Sequence, residues 1–76
     1  MSSAELPSKL ADHPHSDKFV YKLLDEAGPM TVAGLRKAGY LADSTARLCL
    51  NRLEDAGLVE TALGPDARVR YYDTTE

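Results

Sequence analysis

The segment Ser44-Thr45-Ala46-Arg47-Leu48-Cys49-Leu50-Asn51-Arg52-Leu53-Glu54-Asp55-Ala56-Gly57-Leu58-Val59 changes its hydropathy period once, at Gly57. Before the glycine, Ala46, Cys49, Leu50 and Leu53 recur at i, i+3, i+4 and i+7, the spacing of one buried helix face. This predicts a helix that starts at Asp43 or Ser44 and ends at the glycine. Ser44, Thr45, Arg47, Leu48, Asn51 and Arg52 fall on its other side. After the glycine, residues 58–63 read as a strand. Gly64-Pro65-Asp66-Ala67 supplies turn residues, and Arg68-Val69-Arg70-Tyr71-Tyr72 reads as a second strand with both arginines on one side. The two strands form a β-hairpin over 58–72.

Upstream, Phe19, Val20, Leu23, Leu24 and Ala27 trace one apolar face and predict a helix over 17–27. Ser16 is its expected N-cap, and Asp17 suits the positive end of the helix dipole. Gly28 and Pro29 stop it. Thr31 caps a short second helix over 32–38, with Val32 and Leu35 inward. Gly34 costs that helix about 1 kcal/mol relative to Ala. Residues 39–42 form a turn. Residues 1–15 contain three Ser, two Pro and both His, and read as a flexible N-terminal arm with at most one amphipathic turn at Leu6 and Leu10. The folded domain is expected over 16–76. Its class is α+β, three helices followed by a two-stranded hairpin.

The 76 residues allow one domain. A chain this short buries only about 60% of its unfolded surface. A single Cys cannot form an internal disulfide and favours a reducing cytosol. No apolar run approaches the ~20 residues of a membrane span, and the N-terminus lacks the apolar core of a signal peptide. The net charge of −3 argues weakly against a polyanionic partner. Its distribution argues the other way, because six of the nine basic residues, every Arg among them, lie within 36–70.

The order helix, short helix, tight turn, helix, hairpin resembles the winged helix-turn-helix fold. Thr31-x-x-x-Leu35 opens the motif, and Ser44–Val59 resembles the third helix and first wing strand of MarR-like regulators. The run Arg52-Leu53-Glu54-Asp55-Ala56-Gly57-Leu58-Val59 carries most of that likeness. Pro65-Asp66-Ala67-Arg68 with Arg70-Tyr71-Tyr72 is similar to the wing of small archaeal regulators of this class. The resemblance implies sequence-directed binding of double-stranded DNA, usually by a homodimer, with helix 43–56 in the major groove and hairpin 58–72 as wing. Three positions depart from the family pattern: Arg36 and Ala46 on the crossing helices, and Tyr40 where Gly is usual. The long flanking helices through which such proteins dimerise are not in this sequence.

Physical chemistry supports particular roles. An α-helix fits the major groove and reads bases from its N-terminal half. Thr31, Ser44 and Thr45 offer hydroxyls and helix-end N–H groups to phosphate. Arg47 can fork to guanine, and Asn51, four residues on, can pair with adenine. Leu48 can touch a thymine methyl. Arg52 sits further round, toward the DNA backbone, and Arg68 and Arg70 lie along the wing. Each also has a plainer reading: any surface helix has a polar face, and charge commonly protects an edge strand.

Other chemistry finds little foothold. No nucleophile, base and orienting group stand together, so no enzyme and no cofactor is expected. Gly28–Gly34 lacks the Gly-Lys-Ser/Thr of a phosphate loop. His13 and His15 lack a third metal ligand, and Cys49 on an apolar face behaves as a small hydrophobe. No membrane partner and no small-molecule ligand is expected. The alternative is a winged-helix protein-interaction module. It would use the exposed face around Leu48 and is motivated by the acidic balance, by Asp43 and by a wing tip without basic residues.

Overall fold

The computed structural model describes residues 8–75. A short 3-10 turn, Ser8–Asp12, leads into α1 (His15–Ala27), α2 (Val32–Gly39) and α3 (Asp43–Asp55). Two antiparallel strands follow, β1 (Val59–Ala62) and β2 (Tyr71–Thr74), with Val59 opposite Thr74 and Ala62 opposite Tyr71. Three helices and a hairpin are therefore present in the expected order.

The helix ends follow local chemistry. Thr31 Oγ1 accepts the Gly34 N–H at 3.0 Å, so this side chain caps α2 as expected. Gly28 ends α1 at φ 84°, and its N–H reaches Leu24 O. Tyr40 ends α2 at φ 53°, a left-handed conformation that costs an L-residue roughly 1 kcal/mol. At α1 the expectation fails by two residues. The helix starts at His15, Pro14 occupies the N-cap, and the Pro14 carbonyl accepts the N–H groups of Asp17 and Lys18. Ser16 is thus inside the helix and does not cap it.

The core gathers Val20, Tyr21 and Leu24 of α1, Leu35 of α2, Cys49, Leu50 and Leu53 of α3, and Leu58, Val59 and Tyr72 around the hairpin. All four apolar positions expected to face inward on α3 are buried. On α1 the buried face is Asp17, Val20, Tyr21 and Leu24; Phe19 and Ala27, expected inside, are exposed. The face is rotated because a carboxylate occupies one of its inward positions. Leu10 is fully buried in the same core. Leu10 thus anchors the segment before α1 to the core, while the expected partner Leu6 lies outside the described residues.

The hairpin is shorter and shifted. Residues 63–70 form the connection, so Arg68 and Arg70 precede β2 instead of lying on it. Asp66 explains the shift. Its carboxylate accepts the Arg68 N–H at 3.0 Å and its carbonyl accepts the Val69 N–H at 3.1 Å, which commits 66–69 to a turn. Gly64 belongs to the same connection, where a Cβ would collide with the Tyr71 ring. β2 gains a second neighbour instead. Met30 and Tyr72 exchange N–H···O bonds of 2.9 and 2.8 Å, which ties the α1–α2 link to the wing.

Candidate nucleic-acid interface

α3 presents Ser44, Arg47, Leu48 and Asn51 to solvent, with Thr45 half-buried. Its buried face, Ala46, Cys49, Leu50 and Leu53, sets that orientation. Leu48 is 51% exposed, unusual for a leucine in the middle of a helix.

The site is assembled where three elements meet. Thr31, Val32 and Ala33 at the start of α2, Arg47 of α3, and Val69, Arg70 and Tyr72 of the hairpin line one open cleft of about 360 Å³. A smaller recess beside it adds Leu50 and Asn51 to Arg47 and Arg70. Four of the expected contact residues, Thr31, Arg47, Asn51 and Arg70, are thereby drawn from distant parts of the chain to one surface. Ala33 also borders a second groove formed with Arg36, Lys37, Tyr40 and Leu41, so more basic residues flank the site along α2.

Three arginines lie against two nearby carboxylates. Arg47 Nε donates to Asp43 Oδ2 at 2.8 Å, and Arg36 Nη1 lies 3.9 Å from the other oxygen of Asp43. Arg68 donates to Asp66 from both its backbone and its side chain, and that cation holds the Asp66 carboxyl below the usual range. Both pairs are on the surface, where an ion pair contributes little.

Arg52 is engaged elsewhere. It donates from Nε to Asp17 Oδ2 at 2.9 Å and from Nη2 to Asp17 Oδ1 at 2.7 Å, a two-pronged tie from α3 to α1. His13 Nδ1 lies 2.7 Å from Asp17 Oδ2. Burial pushes the Asp17 carboxyl up, but hydrogen bonds from Arg52, His13 and Cys49 outweigh it and hold the group at about 2. An ionised carboxylate only accepts, so His13 carries its proton on Nδ1. Arg52, expected near the DNA backbone, is thus a strut between α3 and α1. Sequence reading missed this tie because Asp17 and Arg52 stand 35 positions apart. A signal did exist: Asp17 falls i−3 and i−4 from Val20 and Tyr21.

Cys49 is fully buried, and burial pushes its thiol up, so it stays protonated at neutral pH. Among the described residues no three His, Cys, Asp or Glu side chains group as metal ligands. No helix among the described residues is long and apolar enough to cross a membrane.

No family model matches the sequence, and no curated protein matches it. Solved structures do. The multiple antibiotic resistance repressor MarR superposes with a TM-score of 0.79 at 24% identity, over 88% of this chain and 49% of the other. A ZitR variant from Lactococcus lactis gives 0.80 at 19% identity, over 96% and 49%. The reduced form of MarR from E. coli gives 0.74 at 26% identity, over 90% and 50%. The chain spans about half the length of these structures. It has the MarR-like winged-helix fold, as the sequence resemblance implies. The first of these structures is a repressor.

Proposed function

We propose that this chain is a transcriptional regulator that binds double-stranded DNA in a sequence-specific manner. The observation that carries the reading is the convergence of Thr31, Arg47, Asn51 and Arg70 on one open surface beside α3. In this reading α3 enters the major groove. Ser44 and Thr45 approach phosphate with the helix N-terminus, Arg47 and Asn51 address base edges, and Leu48 meets a thymine methyl. Arg70 and, once released from Asp66, Arg68 reach the flanking backbone. Thr31 keeps its hydroxyl on the α2 cap and places that helix end against the same strand. Arg52 has a supporting role through Asp17.

The partner is duplex DNA. A homodimer would bring two copies onto half-sites about one helical turn apart. An amide NMR titration with a random-sequence duplex at two salt concentrations tests the surface. Shifts confined to residues 44–51 and 68–70, weaker at the higher salt, are expected. Arg47→Ala should then weaken binding to the preferred sequence by about 1–3 kcal/mol. Unchanged affinity in that variant would remove α3 as the reading helix. Absence of shifts at low salt would favour a protein partner at Leu48.

A further inference from the structure

Asp43 is the residue on this surface that the DNA reading leaves unexplained. It opens α3, where a negative charge repels phosphate, and it is half-exposed. Its carboxylate holds Arg47 through Nε at 2.8 Å, with Arg36 of α2 close to its other oxygen. That contact uses one edge of the guanidinium. Both Nη groups of Arg47 are left without a protein partner among the described residues. They are the pair of parallel donors that matches guanine O6 and N7. An unheld arginine on a helix surface samples many rotamers and serves a phosphate as well as a base.

We infer that Asp43 is a positioning residue for specificity: it fixes the Arg47 fork end-on toward the groove and makes it select guanine at one base pair of the site. The inference rests on the DNA-binding reading above. Asp43 then acts in two opposite ways. It lowers affinity for DNA of any sequence by placing a negative charge near phosphate, and it raises discrimination by orienting one donor pair. Charge alone produces only the first effect.

The two effects separate in variants. Asp43→Asn removes the charge but keeps an oxygen that accepts from Nε. Asp43→Ala removes both. Each protein is incubated with a pool of duplexes carrying a randomised core, and bound molecules are sequenced. Binding to one fixed random duplex is measured alongside. The wild type should enrich a guanine at one position about tenfold or more over other bases. Asp43→Ala should reduce that preference to near unity while binding the fixed duplex about two- to threefold more tightly. Asp43→Asn should show the same gain on the fixed duplex with the guanine preference largely kept. An Asp43→Ala protein that selects guanine as the wild type does overturns the inference and leaves the DNA reading standing. A wild type that enriches no sequence removes sequence-specific reading, and this inference with it. Asp43 lies on the surface, and the helical circular dichroism of each variant confirms that it folds.

Discussion

Asp17 shows how one side chain can be both costly and necessary. It is fully buried, yet each carboxylate oxygen has a cationic or N–H donor. Removing one partner of a buried pair strands the other, so Asp17→Asn should lower stability by about 2–3 kcal/mol in urea unfolding at neutral pH. The pH profile follows from the same contacts. The carboxyl sits at about 2 in the folded protein against an ordinary 3.8. A depressed value contributes stability that is complete above pH 4 and lost as pH falls toward 2. The urea midpoint of the wild type should drop across that window, and Asp17→Asn should flatten the drop. An equal acid sensitivity in both proteins would place the titration elsewhere. From the sequence, Asp17 belongs at the helix start because a negative charge suits the positive end of the helix dipole. Its partner is supplied only by the fold.

At the scale of elements, the most legible parts are those held by local chemistry. The Thr31 cap needs only residues 31–34, and the buried stripe of α3 needs only its own periodicity. The hairpin was legible as two strands but not in register, because Asp66 captures the Arg68 and Val69 N–H groups and delays β2 to Tyr71. The Met30–Tyr72 bridge left no trace in the sequence pattern, since a one-residue pairing has no period. The turn between α2 and α3 carries a second testable consequence. Tyr40 holds φ 53° and is 96% exposed, so it takes the left-handed strain with almost no packing in return. Tyr40→Gly should raise stability by about 0.5–1 kcal/mol in the same unfolding assay. A loss instead would mean that the ring contributes contacts along the Arg36–Leu41 groove that outweigh the strain.

For the whole molecule, the sign of the net charge matters less than where the acids are held. Of the acidic side chains, Asp17 is neutralised by Arg52, Asp43 by Arg47 and Asp66 by Arg68. These pairs leave the −3 total unchanged, so the field at the cleft depends on which cations stand unpaired beside it. Arg70 has no carboxylate partner among the described residues and stands at the cleft wall. If it meets phosphate, Arg70→Ala should weaken binding by a similar factor on all duplexes and reduce the slope of log affinity against log salt by about 1. A loss confined to one sequence would make it a base reader. Which residues are polar and outward on α3 could be read from the sequence. Thr31 and Arg70 were expected beside them through the winged-helix resemblance, and the packing of three elements brings them together. The same packing has a consequence for how the protein would search DNA under the proposed function. A helix advances about 100° per residue, so a small roll of α3 about its axis would carry Arg52 off Asp17. The fork acts as a rotational key. On the DNA-binding reading, the outward face of α3 would meet each groove in one fixed phase, with no turning left to do after contact. If the chain binds DNA as proposed, wrong sequences should then be rejected by rapid departure, and stopped-flow mixing with a duplex should show association in a single kinetic step.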